Sequence, residues 1–155
     1  MKGLEELPGI LLNLAVAFGL GIPIGWDRER HGFGPGLRVY PLLSMGACAY
    51  LEIGQLAFRD HIEGQARVFQ AMVSGIGFIG AGAIIKGRQE VHGLATAVSL
   101  WVTVSVGIAA SYELFALAAV LSVTTLVALR VLKTFKPEPE RADEGPGGPN
   151  RDVPR

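Results

Sequence analysis

The stretch from Val68 to Lys86, VFQAMVSGIGFIGAGAIIK, sets four glycines inside an uncharged apolar run, and few folds accept that combination. In water each of Gly75, Gly77, Gly80 and Gly82 would cost a helix about 1 kcal/mol relative to alanine. In lipid the backbone has no water to bond and must satisfy itself, so a helix persists and its bare glycine surface admits a close neighbour. The run from Val68 to Ile85 is about eighteen residues, enough to cross a hydrocarbon layer. Ala71 with Gly75, and Gly77 with Ala81, form small pairs four residues apart on two faces. The segment is therefore expected to be the central helix of a membrane bundle, with close neighbours on more than one side.

Gly75-Ile76-Gly77-Phe78-Ile79-Gly80 also fits the dinucleotide pattern G-x-G-x-x-G. That pattern binds a pyrophosphate only at a strand-to-helix turn, with an acidic residue about twenty positions on. Neither context surrounds these glycines. Half of the residues are hydrophobic and the formal net charge is zero, which gives a nucleic-acid partner no electrostatic support. Cys48 is the single cysteine, so no intramolecular disulfide and no cysteine-built zinc site can form. It is expected to pack as a small apolar residue.

Read in order, the chain predicts an all-α polytopic bundle over 1–136, with spans at about 7–26, 39–58, 68–85, 94–110 and 114–132. A proline- and glycine-rich tail at 137–155 reads as disordered. In the first span Ala17, Gly21 and Gly25 repeat every four residues as a packing face, and Pro23 should kink the last turn. Asp27 to Arg38 reads as a charged link. In the fourth span Ala95, Ser99, Thr103 and Gly107 make a second small-residue stripe. Five spans put the termini on opposite sides. With the N-terminus outside, the inner segments carry Arg28, Arg30, Arg38, Lys86, Arg88, Arg130, Lys133 and Lys136, against Lys2, Arg59 and Arg67 outside. Basic residues collect on the cytoplasmic side, so the prediction is N-out, C-in.

That topology sorts the polar residues into two layers. Asn13, Glu52, Gln55 and Gln70 fall in the outer halves of the first three spans. A carboxylate in the bilayer core costs about 2.5–3.5 kcal/mol on insertion scales, so Glu52 must face the bundle or a wet cavity. Two readings stand: an ion or proton site with Asn13 and Gln70 as neutral ligands, or a hydrogen-bonded carboxyl that joins helices. The cytoplasmic layer holds Asp27, Arg28, Glu29, Arg30 and Arg38. Asp27 and Glu29 offer the hard oxygens that Mg²⁺ prefers, yet the arginines compete for them. A structural ion-pair cluster, with Asp27 paired to Arg30 or Arg38, is the simpler reading. Thr96, Ser99 and Trp101 line the fourth span, where hydroxyls bond across helices and Trp101, far from the interfaces, should pack inside. His31, His61 and His92 lie on separate links without metal-ligand spacing. No nucleophile stands beside a base, so no enzymatic chemistry is expected.

Ile24-Gly25-Trp26-Asp27-Arg28-Glu29-Arg30 with Gly36-Leu37-Arg38 resembles the first signature of the MgtC/SapB family of bacterial inner-membrane proteins. Gly75 to Gly82 resembles its glycine-rich helix, and Val91 to Val102, VHGLATAVSLWV, resembles its third signature. The chain departs from the family at Asp27, where Glu is usual, at Val39, where Thr is frequent, and at Ala95 and Val102, where some members carry Asn and Cys. The resemblance implies a multi-pass domain in the plasma membrane and a link to magnesium homeostasis; no cofactor is expected. The expected function is a non-enzymatic modulator of membrane partners that also self-associates in the lipid bilayer. The alternative is a transporter or channel for a small ion such as Mg²⁺ or H⁺.

Overall fold

The computed structural model describes residues 5–30, 36–86 and 91–134. They form five helices: α1 (Leu7–Arg30), α2 (Val39–Ala57), α3 (Ile62–Gly82), α4 (Leu94–Ser111) and α5 (Phe115–Thr134). Between α3 and α4 a two-residue antiparallel pair, β1 (Ile85–Lys86) and β2 (Val91–His92), sets Ile85 opposite His92. The all-α class and the five-helix order agree with the sequence. By length and composition α1 and α4 are apolar enough to cross a membrane, while the apolar part of α5, Phe115–Val131, is shorter. The expectation for 137–155 falls outside the described residues.

Two boundaries differ from the sequence reading. α1 runs through Pro23 to Arg30, so Asp27 to Arg30 are its last turn rather than a link. α3 begins at Ile62, inside the polar stretch, and so carries Glu63 and Arg67 on its first turns.

The centre of the bundle is α4, and this corrects the expectation that the glycine-rich helix would occupy it. α4 packs against each of the other four helices and buries Thr96, Ser99, Leu100, Thr103, Val104 and Val106. On α3 only Ile76 is buried. A Cβ placed at Gly75, Gly77 or Gly82 would meet nothing within 4 Å, and at Gly80 only Ala97 at 3.9 Å. Bare backbone permits close approach but does not supply the neighbour, and among the described residues none comes to Gly75, Gly77 or Gly82. Phe78, 85% exposed, projects from this same helix. Trp101 is likewise corrected: it is half exposed, in line with exposed Leu94 and Val98 at helical spacing. Residues on that stripe face away from the core whatever their depth along the span.

The glycines of α1 behave as their spacing predicts. A Cβ at Gly21 would lie 2.7 Å from the Pro41 Cα and 2.9 Å from the Tyr40 carbonyl oxygen, and one at Gly25 would lie 3.1 Å from the Leu37 Cα. α1 therefore rests on the first turns of α2, backbone on backbone. One turn further along α2, Gly107 of α4 meets the Ser44 carbonyl and the Ala47 side chain. Ala17, Cys48 and Ala110, all fully buried, close the same waist from three helices.

Candidate functional site

The waist separates two polar ends of opposite charge. Among the described residues one end carries Glu5, Glu6, Asp60, Glu63 and Glu113 against Arg59 and Arg67, and is the acidic end. The other carries Arg28, Arg30, Arg38 and Arg130 against Asp27 and Glu29, and is the basic end.

At the acidic end α1 and α2 bring Asn13 and Glu52 together. The Asn13 amide Nδ2 donates to Glu52 Oε1 at 2.8 Å, and both residues are buried. Of the expected trio the third member is absent, because Gln70 is exposed on the outer side of α3. Gln55, one turn beyond Glu52, instead donates through Nε2 to the Ser111 carbonyl at 3.3 Å and ties α2 to the end of α4. Above the pair opens a cleft of about 520 Å³, whose polar lining is Glu5, Glu6, Asn13, Glu52, Gln55, Arg59, Gln65 and Glu113. Arg59 donates to Glu6 at 2.6 Å, and that carboxylate raises the proton affinity of the guanidinium further. Glu113 joins the lining from the α4–α5 turn, where its backbone is left-handed at φ 58°.

At the basic end Asp27 is buried and held by two arginines. Arg130 Nε donates to Oδ1 at 2.9 Å, and Arg28 Nη2 lies 3.4 Å from Oδ2. The cations of Asp27 among the described residues are therefore Arg28 beside it and Arg130 from α5, not Arg30, which helical spacing allowed, nor Arg38. Arg30 stacks over the Trp26 ring, 4.9 Å from its centroid. Arg38 stands exposed at the N-cap of α2. Glu29 accepts the Leu37 backbone N–H at 2.6 Å, and a Cβ at Gly36 would strike its stem. Of the three carboxylates proposed for a metal, Glu52, Asp27 and Glu29, the two at this end are thus engaged in holding the α1–α2 connection and α5. His31 lies outside the described residues, and His61 is exposed.

Between the ends runs a file the sequence reading passed over. Tyr40, Ser44, Cys48 and Glu52 recur every four residues on the buried face of α2. The Tyr40 hydroxyl shares a 2.7 Å hydrogen bond with Ser99 Oγ, which donates to the Thr96 carbonyl at 2.8 Å. Thr103 Oγ1 bonds the Ser99 carbonyl at 2.7 Å, while Ser44 Oγ has no partner. Their four-residue spacing was the signal for this face. On α5, Ser122 Oγ donates to the Leu20 carbonyl at 2.7 Å and closes α5 on α1. Arg130 and Ser122 could not be assigned from spacing, since each acts on a residue about a hundred positions away.

The sequence model of the MgtC family matches residues 14–137, which takes in the basic end, the waist and the acidic end from Glu52 onward, but not Glu5, Glu6 or Asn13. The chain belongs to the MgtC family. Among MgtC-family relatives, "Putative magnesium transporter YhiD" of Escherichia coli (strain K12) is 34% identical over 127 residues, covering 78% of this chain and 58% of the relative. Protein MgtC of Brucella abortus is 39% identical over 121 residues, covering 77% of this chain and 50% of the relative. Protein SrpB of Synechococcus elongatus is 31% identical over 140 residues, with 83% and 77% covered. The chain thus spans 58% and 50% of the lengths of the first two. No solved structure matches it significantly.

Proposed function

We propose that this MgtC-family chain is a multi-pass protein of the bacterial plasma membrane that serves magnesium-linked homeostasis as a non-enzymatic modulator of membrane partners. The observation that carries this reading is the waist. Gly21 on Pro41 and Gly107 on Ser44, with Ala17, Cys48 and Ala110 fully buried, pack backbone against backbone between the two polar ends. A close-packed waist favours a scaffold over a conduit. The charge bias of the ends supports placing the basic end, and so the C-terminus of α5, in the cytoplasm. The uncovered glycine face of α3 supports self-association within the bilayer, where small residues let helices close on one another. Single cysteines placed along Gly75 to Gly82, in a Cys48→Ala background, should cross-link between copies in membranes. A uniformly monomeric result would remove that part of the reading.

The transport reading draws on one observation, the buried Asn13–Glu52 pair at the floor of the acidic cleft. Purified protein in liposomes separates the two. The modulator reading expects Mg²⁺ and proton flux no greater than in empty liposomes, together with a reproducible membrane partner. Flux abolished by Glu52→Gln would replace it with transport.

A further inference from the structure

The chain buries two carboxylates and treats them differently. Asp27 at the basic end is held by Arg28 and Arg130. Glu52 at the acidic end is 8% exposed, and its one hydrogen bond comes from the neutral amide of Asn13. Its second oxygen takes no hydrogen bond from the described residues, and the side chain lines the cleft. The guanidinium in the described lining, Arg59, is already committed to Glu6. Among the described residues the lining holds four carboxylates, Glu5, Glu6, Glu52 and Glu113, and one guanidinium. A recess of one sign with low-dielectric walls concentrates counter-ions. A buried carboxylate that stays ionised is stabilised by such a counter-ion.

We propose that this cleft binds one hydrated divalent cation, held through its water shell with Glu52 at the floor. The donors select the class. The polar lining offers carboxylate and amide oxygens, with neither thiol nor imidazole, and hard oxygens suit hard cations. Among the described residues no three carboxylate, histidine or cysteine side chains converge to chelate a bare ion. The cleft volume of about 520 Å³ leaves room for an ion that keeps its waters, as Mg²⁺ does when one or two carboxylates hold it. Asn13 and Gln55 both spend their amide nitrogens on the protein, on Glu52 and the Ser111 carbonyl, which leaves their amide oxygens to accept from bound water. Glu113 and Glu5 stand in the lining above. The site is independent of whether the protein modulates or transports; it defines what the acidic end would respond to.

The test uses the full chain in nanodiscs, with Mn²⁺ as a paramagnetic probe. The expected result is saturable loss of the free Mn²⁺ signal at one ion per chain, reversed by Mg²⁺ and by cobalt(III) hexammine, which cannot shed its ligands. Glu52→Gln should weaken binding by about tenfold or more, in the range seen when a metal site loses an outer partner. Glu63→Gln, at the same end but outside the cleft, should leave it unchanged. If Glu52→Gln fails to fold, Glu113→Gln on the exposed turn takes its place, with a severalfold loss expected. Binding that does not saturate, that survives these variants, or that Mg²⁺ reverses but hexammine does not would overturn the proposal.

Discussion

Replacing Gly21 by alanine adds one methyl group where α1 lies on α2. The new Cβ would sit 2.7 Å from the Pro41 Cα, 2.9 Å from the Tyr40 oxygen and 3.0 Å from the Pro41 nitrogen. All three are backbone atoms, so no side chain can swing aside. Carbon contacts are comfortable from about 3.5 Å, and the helices must therefore part by about 0.8 Å. A gap of that size forfeits about a quarter to a half of each dispersion contact along the seam. Overpacking of this kind costs about 1–3 kcal/mol, and the rigid backbone places Gly21→Ala near the upper end. Alanine returns up to about 1 kcal/mol of helix propensity, for a net loss of about 2 kcal/mol. For a chain of this size that lowers the melting temperature by about 4–8 °C. The molecule carries its own reporter, because Cys48 is its single cysteine and lies fully buried in the same waist. A thiol-reactive dye followed through a heating ramp in detergent reads the opening of α1, α2 and α4 directly. Gly75→Ala is the control, since its Cβ would meet nothing within 4 Å, and it should be neutral or slightly stabilising. Equal melting of Gly21→Ala and wild type, or a lower melt for Gly75→Ala than for Gly21→Ala in the monomer, would refute the account of the seam.

Arg130→Gln leaves buried Asp27 with Arg28 and should cost about 1–2 kcal/mol, less than a fully buried pair because Arg130 is more than half exposed. A double-mutant cycle with Asp27→Asn in the same dye assay should show the two changes costing less together than their sum. Tyr40→Phe removes a hydroxyl bonded to Ser99 in the core and should cost about 1 kcal/mol, read by the same melt. Trp101→Ala should shift stability by less than about 0.5 kcal/mol, because the ring lies on the outward stripe of α4. A loss near 3 kcal/mol, as for a buried tryptophan, would return Trp101 to the interior.

Local chemistry made much of this molecule legible. Runs of apolar residues broken by charge located five helices, and the four-residue repeat Ala17, Gly21, Gly25 named the seam that α2 occupies. The pairing of Asn13 with Glu52 was also within reach, because two polar groups at matching depth in adjacent spans have few other partners. Gln70 shared that depth and still missed, since depth along a helix says nothing about rotation around it. Trp101 missed for the same reason. The file Tyr40, Ser44, Cys48, Glu52 was written at constant spacing on α2, and only attention to that face would have found it.

From the sequence alone follow the helical class, the membership of the MgtC family, the opposite charges of the two ends and the faces on which backbone lies bare. Tertiary structure decided what stands opposite those faces: α2 covers Gly21 and Gly25, Gly107 meets Ser44, and Gly75, Gly77 and Gly82 remain open. It also chose Arg130, 103 residues along the chain, as the partner of Asp27. The reason is that residue spacing specifies which side of a helix is smooth or charged, whereas the contact made there depends on how all five helices share one interior.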